Sequence, residues 1–395
     1  MAPLMAALMA GFTLAGCGGG GGDGGNNPPP PFGAGQGTLR AFLTDAPACG
    51  YDSVHVTVER VRVHQSATAD GSATGWSEIV LSPARRLDLL TLRNGVLAEL
   101  GETTLPPGRY QQLRLVLAAN SSAAPLANAV KPSGEAEVEL KTPSAQQSGL
   151  KLDIGIDVAA NQSADVVIDF DACRSVVRAG NSGNYLLKPV LSATALFSSG
   201  LQGHVEPTLV GPSTTVSLQQ GGTVIKSTLP DATGKYVLSP VAPGTYTLVL
   251  AAPGRTTQVV TGVVVGGSTL TTLGSTALPL TAAPSAAAQL VGTVSTGSTP
   301  IDALVRVTQP LSNGTTIEWA AAPVHGATGA YAFSVPTAAP RVAAYAPGAA
   351  PLAFTADAAA AGRYTVVATS GSLSKSAGPL TLAAGATASN NFSFP

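Results

Sequence analysis

The chain has 395 residues, 11% of them charged, and its 21 Lys and Arg residues against 22 Asp and Glu residues leave a net charge of −1. This balance provides no basic face and argues against nucleic acid as a partner. The length suits two or three domains. Its 45 Gly and 30 Pro residues, set between stretches rich in Val, Thr, Leu and Ala, are typical of short strands joined by turns. We therefore predict an all-β protein.

The first sixteen residues, MAPLMAALMAGFTLAG, are apolar but fewer than the roughly 20 residues that a membrane-spanning helix needs. A cleaved signal peptide at residues 1–16 is the better interpretation. The sequence Leu14-Ala15-Gly16-Cys17 resembles the lipobox of bacterial lipoproteins, and this resemblance implies acylation of Cys17. No Lys or Arg precedes Arg40, so the usual basic start of such a signal is missing. An ordinary signal peptide with a chance cysteine is the alternative.

Residues 17–37 are predicted to form the lipidated cysteine and a disordered Gly/Pro-rich linker. The glycines of this stretch are flexible and the prolines are stiffer, and twenty extended residues reach about 65 to 70 Å at most. Gly18 rather than Asp follows Cys17, which by analogy with enterobacterial lipoproteins favours the outer membrane. We expect a lipid-anchored protein of a Gram-negative bacterium, periplasmic or surface-exposed, that contacts the membrane through its lipid.

Strand-like alternation begins abruptly after the linker. In VHVTVERVRVH, at residues 54–64, the valines before Glu59 and the valines after Arg60 have opposite parity. A β-bulge near these two residues would return both sets to one buried face, so we predict a bulge there. Further strand-like stretches follow to residue 197, with turn signals such as Asn94-Gly95 between them. This number of short strands indicates a β-sandwich.

The motifs LTDAP, VHVTVERVRV, LDLLTLRNG, LPPGRYQQLRLVL, TPSAQQSGLKL, VVIDFDACRSVV and YLLKPV occur in this order. Together they closely resemble the bacterial domain-of-unknown-function family 4382 over about residues 38–196. The resemblance implies a secreted or lipoprotein β-domain whose biochemical role is not established. We assign residues 38–198 to this domain.

Two units with similar motifs follow, at residues 200–281 and 289–395. Both contain a T-G-x-Y motif before a strand, and G-x-Y-T occurs again further on in each. The first unit resembles a carboxypeptidase regulatory-like, or transthyretin-like, β-sandwich. The second is a more divergent β-sandwich, because its Ala/Pro-rich residues 336–361 depart from the pattern. The motif tyrosines are predicted to be core residues rather than ligand platforms.

Cys49 and Cys173 are the cysteines that remain after Cys17. In an exported protein an even pair predicts a disulfide. Two buried free thiols are the alternative, because sequence does not show how far apart the two Cα atoms lie.

Carboxylates form the constellation that most resembles a ligand site. Asp153 and Asp157, and likewise Asp169 and Asp171, occupy alternate strand positions, so each pair should project from one sheet face. The predicted disulfide would bring Asp45 near the second pair, which makes Asp45, Asp169 and Asp171 candidate Ca²⁺ ligands. The favoured alternative is a solvated sheet face with Asp45 in a local turn, because the spacing of a calcium loop is missing.

Sequence signatures of common enzyme classes are missing, so we expect no enzyme and no cofactor. His55 and His64 are too scattered to indicate a zinc site. We predict a lipid-anchored cell-envelope protein with a non-enzymatic binding or structural role, and a glycan or an envelope protein as candidate partner. One alternative is a carbohydrate-binding module that uses Trp76 and Trp319 as platforms. The other is a hydrolase or Ca²⁺-dependent protein that uses the Asp cluster.

Overall fold

The computed structural model describes residues 35–45, 50–143, 148–179, 183–348 and 351–395. With 56% strand and 4% helix, the chain has the predicted all-β class. Its sheets pack in pairs into successive sandwich modules, which we name the first, second and third modules. Each module has its own buried apolar core.

The first module contains the strands β1 (Gly37–Asp45), β2 (Tyr51–His64), β3 (Ser77–Asp88), β4 (Ala98–Leu105), β5 (Gly108–Leu117), β6 (Ala129–Pro132), β7 (Val138–Lys141), β8 (Leu150–Val158), β9 (Ser163–Phe170), β10 (Val176–Ala179), β11 (Asn184–Leu187) and β12 (Leu191–Ala195). One sheet has the order β12-β9-β1-β4, with β1 parallel to β9. The other has the order β10-β11-β7-β6-β2-β5-β8, with β3 paired to β2. A short helix, α1 (Ala172–Ser175), follows β9.

A bulge in β2 brings two sets of valines to one face. The register of β2 against both β3 and β5 shifts between Val58 and Arg60, where the sequence predicts it. The valines at 54, 56, 58, 61 and 63 are all buried in the core. The bulge prediction is therefore confirmed.

The second module contains the strands β13 (Gly200–His204), β14 (Thr215–Gln220), β15 (Thr223–Thr228), β16 (Lys235–Leu238), β17 (Gly244–Ala251), β18 (Gln258–Val265) and β19 (Leu270–Thr272). The third contains β20 (Ala287–Ser295), β21 (Leu304–Pro310), β22 (Thr316–Pro323), β23 (Ala330–Pro336), β24 (Arg341–Ala344), β25 (Thr355–Ala356), β26 (Arg363–Ser370), β27 (Leu373–Thr381), β28 (Thr387–Ser389) and β29 (Phe392–Ser393).

Two strands that follow β23 of the third module in sequence join a sheet of the second module. Strand β24 pairs parallel to β18, and β25 pairs with β24, so one sheet has the order β15-β14-β17-β18-β24-β25. Tyr345, Leu352 and Phe354 from the same stretch pack against the core of the second module. Part of the Ala/Pro-rich stretch at residues 336–361 therefore completes the neighbouring module, which explains why it departs from the repeat pattern.

The remaining sheets are β16-β13-β19 in the second module, and β23-β20-β28 and β22-β21-β26-β27 in the third, with β29 also paired to β20. The motif tyrosines lie in these cores and each hydroxyl donates to a backbone carbonyl: Tyr236 to Leu273, Tyr246 to Ala242, Tyr331 to Asn390 and Tyr364 to Pro336. They are core residues, as predicted.

The second and third modules each contain the same kind of close backbone contact, and in each module this contact explains one glycine. A Cβ atom on Gly203 would lie 1.8 Å from the carbonyl oxygen of Leu273, and one on Gly292 would lie 1.8 Å from that of Asn390. These are the carbonyls to which the hydroxyls of Tyr236 and Tyr331 donate. The two modules therefore repeat a triad of glycine, tyrosine and carbonyl.

Candidate functional site

Side chains from all three modules meet at one buried carboxylate. Glu318 lies on β22 of the third module and is 3% exposed. Its Oε1 accepts a hydrogen bond from Arg174 of the first module, and its Oε2 accepts one from Arg306 Nε at 2.6 Å. Gln219 on β14 of the second module bonds to both the N–H and the carbonyl of Glu318. We call this arrangement the junction.

The short helix α1 positions Arg174 at the junction. Asp171 is its N-cap, and Asp171 Oδ1 accepts a hydrogen bond from the Arg174 N–H at 3.0 Å. The Nε of Arg174 lies 3.4 Å from Asp171 Oδ2. Burial raises the pKa of Asp171 to about 6, against the opposing effect of Arg174, and the nearby carboxylates of Asp169 and Glu318 raise it further. The cap and the ion pair both hold the arginine toward Glu318.

A second ion pair joins the first two modules beside the junction. Lys226 on β15 is 5% exposed, and its Nζ lies 2.7 Å from Oδ2 of Asp169 on β9. A buried ammonium group needs such a partner, because an unpaired charge is costly away from water. The ion pair of Asp169 with Lys226 therefore links the first and second modules.

Asp45 is buried beside the same segment. It is 1% exposed, and its Oδ1 accepts a hydrogen bond from the Ala172 N–H at 3.0 Å. Burial raises the pKa of Asp45 well above its ordinary value, with smaller contributions in the same direction from Asp171 and Asp169. The structure therefore places a buried carboxyl group here, bonded to a backbone N–H, where the sequence suggested a local turn acceptor.

The three candidate Ca²⁺ ligands approach one another but have other partners. Asp45 binds a backbone N–H, Asp169 binds Lys226 and Asp171 caps α1. Within the described ranges, no group of three or more His, Cys, Asp or Glu side chains is placed to hold a metal ion. The residues present do not fit the predicted calcium site, because Asp45 is bonded to a backbone N–H and Asp169 and Asp171 face cations.

The other sequence-selected polar residues lie apart from the junction. The side chains of Asp153 and Asp157 are 82% and 73% exposed, beside Lys151 and Arg109 respectively. His55 Nδ1 lies 2.8 Å from Glu137, and the His64 ring packs against Trp76. These groups form separate local pairs and not a common site.

A cavity of about 350 Å³ opens beside the junction between the three modules. Its floor is the outer face of β14 and β15, where Ser217 and Ser227 lie opposite each other and Thr215 lies on the same side. Small side chains at Ala251, Ala320 and Ala321 also line it. The walls come from Asp171, Cys173 and Arg174 of the first module and from Glu318 and Trp319 of the third.

Of the two tryptophans, Trp319 is half-buried in this cavity, and its indole nitrogen is buried with no hydrogen-bond partner among the described residues. Trp76 is also half-buried, but the guanidinium groups of Arg62 and Arg114 lie 4.6 and 5.2 Å from its ring centroid. Its Nε1 donates to the Asp70 carbonyl at 2.9 Å. The ring and the indole nitrogen of Trp76 therefore both have partners within its own module, whereas Trp319 packs against the core of the third module and also lines the cavity.

Two predicted cysteine functions involve residues outside the described ranges, namely Cys17 for lipidation and Cys49 for the disulfide. Cys173 lies on α1 and lines the cavity, as does Gly50, the residue that follows Cys49. The disulfide remains a prediction. In the described part of the chain, no helix is long and apolar enough to cross a membrane.

The sequence-based predictions did not include Arg174, Gln219, Arg306 and Glu318 of the junction or Lys226 beside it. For Lys226, Arg306 and Glu318 the available signal was a charge inside a strand, since few charges occur in this chain and strand interiors are largely apolar. That signal indicates a buried ion pair but does not identify the partner. Arg174 precedes Glu318 by 144 residues and belongs to another module.

Comparison with known proteins agrees with the motif resemblance in the first module. Residues 36–189 match a family described as "Domain of unknown function (DUF4382)". This finding confirms the predicted resemblance for that segment. The carboxypeptidase regulatory-like resemblance of the later modules and the lipobox remain predictions.

Similarities to solved structures are distant. A cohesin–X-dockerin complex from Acetivibrio cellulolyticus is 22% identical over 22% of this chain and 58% of its own, with a TM-score of 0.18. The Bacillus anthracis TIE protein is 10% identical over 91% of this chain and 50% of its own, with a TM-score of 0.17. A streptococcal ancillary pilin is 9% identical over 90% and 99%, with a TM-score of 0.14. The chain thus spans less than two thirds of the first two structures. No curated protein matches it.

Proposed function

We propose that this chain is a non-enzymatic protein of the cell envelope, in which the three modules act as one rigid arm on a lipid anchor at Cys17. The observation that carries the proposal is the junction at Glu318, where one buried side chain is held by residues of all three modules. Loss of one of these partners would leave a buried charge uncompensated and would strongly destabilise the folded protein. The junction therefore opposes separation of the modules.

Other contacts between modules support a rigid arm. Asn94 of the first module accepts a hydrogen bond from the Val237 N–H of the second at 2.5 Å. Lys188 of the first module lies 3.2 Å from Asp302 of the third. Strand β24 extends the sheet of the second module by main-chain hydrogen bonds. Relative motion of tandem domains is the default expectation unless their interface is extensive, and these contacts oppose such motion.

The buried acids near the junction support a structural role over catalysis. A general acid–base pair needs carboxyl groups that are free to exchange protons with a substrate. Both oxygens of Glu318 accept hydrogen bonds from arginines, and Asp169 is paired with Lys226. These interactions hold modules together.

The proposed anchor rests on the N-terminal sequence. A lipid at Cys17, followed by the Gly/Pro-rich residues 18–37, would tether the chain near the start of β1 at Gly37. Acyl chains each contribute about 0.8 kcal/mol per buried CH₂, and two or more hold a protein stably at a membrane. The folded modules would then stand away from the bilayer.

The proposal can be tested by producing the full-length chain in a Gram-negative host and measuring its location and intact mass. We expect a mature chain that starts at Cys17, carries diacylglycerol and sediments with membranes, and a Cys17→Ser variant that does not. A mature chain with an unmodified Cys17 thiol would contradict the anchor. A hydrolase activity that Asp169→Asn abolishes would contradict the non-enzymatic role.

A further inference from the structure

We propose that the cavity beside the junction binds a neutral saccharide residue, which stacks on Trp319 and hydrogen-bonds to the hydroxyl groups of β14 and β15. This inference goes beyond the structural role proposed above and does not depend on the lipid anchor. It rests on the shape of the cavity, its chemistry and its charge.

The cavity interrupts an interface that is elsewhere closely packed. Further along the same sheet, Val249 and Val259 pack against Ile317 and Leu311 of the third module. Beside the junction, the contact positions carry Ser217, Ser227 and alanines instead, and the space is left open. Protein interiors normally fill such gaps, because an unfilled volume forfeits dispersion contacts. An open, partly apolar cavity with a few polar groups is the usual form of a ligand site.

The floor of the cavity presents hydroxyl groups in register. Ser217 and Ser227 are directly opposed on antiparallel strands, so their side chains stand beside each other on one face. Thr215 lies two residues before Ser217 on that face. A hydroxyl group both donates and accepts hydrogen bonds, as do the hydroxyls of a sugar. The floor therefore matches a polyhydroxylated ligand.

The charges around the cavity are already paired. Arg174 and Arg306 face Glu318, and Arg174 also faces Asp171. Lys226 is paired with Asp169 nearby. Among the described residues that line the cavity, a charged ligand would find no unpaired charged side chain and would have to compete with these buried pairs. The charge balance therefore favours a neutral ligand.

Trp319 supplies the apolar surface that such a ligand needs. An aromatic ring has an apolar face on which the C–H side of a sugar ring can pack. The volume of about 350 Å³ lies at the small end of the range of about 300–1,000 Å³ for ligand pockets. The site suits one or two sugar rings, such as the end of a glycan, rather than the length of a polymer.

The experiment uses the full-length chain with the substitution Trp76→Phe, which leaves Trp319 as the sole tryptophan. Its fluorescence then reports on the cavity alone. The probes are N-acetylglucosamine, glucose and glucuronate. We expect a saturable change in Trp319 emission with at least one of the two neutral sugars, and binding of glucuronate at least tenfold weaker.

Two further substitutions in this background test the site itself. Ser227→Val removes a floor hydroxyl and should weaken binding about tenfold. Ala321→Leu fills the cavity from the third module and should abolish binding. Ser376→Val, on the exposed strand β27, is the matched control and should leave affinity unchanged. Circular dichroism and thermal melting would show that each variant is folded.

The proposal is overturned if neither neutral sugar changes Trp319 emission up to its solubility limit, or if glucuronate binds as tightly as the neutral sugars. It is also overturned if folded Ser227→Val and folded Ala321→Leu both bind like the parent. Should either variant fail to fold, the other and the parent titration still decide the question. Adding Cys17→Ser to the background should not alter the titration, so failure of the anchor and failure of the sugar site are distinguishable.

Discussion

Gln219 and Glu318 exchange two hydrogen bonds across the boundary between the second and third modules. Gln219 Nε2 donates to the Glu318 carbonyl at 2.7 Å, and the Glu318 N–H donates to Gln219 Oε1 at 2.7 Å. A side-chain amide has one donor group and one acceptor, so it can replace the main chain of a neighbouring strand. Both residues are buried, and water cannot take over these bonds.

The substitution Gln219→Leu is expected to destabilise the protein by about 2 kcal/mol or more, because it leaves a buried N–H and a buried carbonyl of Glu318 without partners. Denaturant unfolding measures the loss, and limited proteolysis should reveal faster cleavage between the modules. Gln220→Leu, at the exposed neighbouring position, is the control and should have little effect. Equal stability of the two variants would show that the amide does not hold the boundary.

The substitution Gly203→Ala is expected to cost about 3 kcal/mol or more, since the new methyl group would overlap the Leu273 carbonyl at 1.8 Å and crowd the Tyr236 hydroxyl at 2.5 Å. Gly267→Ala, where a Cβ atom meets nothing within 4 Å, should be nearly neutral. Thermal melting of both variants checks the difference. Similar melting temperatures would mean that the backbone at Gly203 can move aside at low cost.

The pKa of Asp171, raised to about 6 by burial, predicts a pH dependence of stability. Between its ordinary value of 3.8 and about 6, the folded state binds the proton more tightly than the unfolded state. The contribution of Asp171 to stability therefore falls as pH rises through this window and is level above it.

Asp171→Asn keeps an N-cap side chain but cannot ionise. The unfolding free energy of the wild type minus that of the variant should therefore fall as pH rises and be smallest above pH 6. Denaturant unfolding from pH 4 to pH 7 measures this difference. A difference that does not change with pH in that range would contradict the raised pKa.

The predicted disulfide between Cys49 and Cys173 has a chemical test. Without reductant, the unfolded wild-type chain should show no reactive thiol from this pair, and Cys49→Ser should release one. The two cysteines are 124 residues apart, and a loop of this length suggests a loss of about 4 to 5 kcal/mol in that variant. Cys17→Ser provides the control, because it should not change the thiol count of the pair. Two reactive thiols in the wild type would establish the alternative of free cysteines.

Local patterns in the sequence were sufficient to predict much of the fold. The bulge at Val58 and Arg60 follows from the parity of the flanking valines, because a strand must bury one face throughout. The core positions of Tyr236 and Tyr331 follow from glycine turns next to aromatic residues. Each of these signals lies within a few residues of the feature it predicts.

Features that depend on distant residues were not predictable in this way. The stretch RVAA of β24 is short and rich in alanine, and its parallel pairing with β18 leaves no periodic signal in either strand. The junction likewise depends on Arg174 and Glu318, which only the folded chain brings together. Asp45, Asp169 and Asp171 were candidate ligands beside the favoured alternative of a solvated face, but their environment is set by Lys226 and by burial, which sequence does not show.

The pairing of β24 with β18 also constrains the order in which the protein assembles. Domains made early on the ribosome usually fold before later ones appear. Here the second module cannot obtain its last two strands until much of the third has been synthesised. An incomplete chain would thus expose the bare edge of β18, which is a template for unwanted pairing with other chains. The edge of β18 therefore needs protection during synthesis, although β24 covers it in the complete protein.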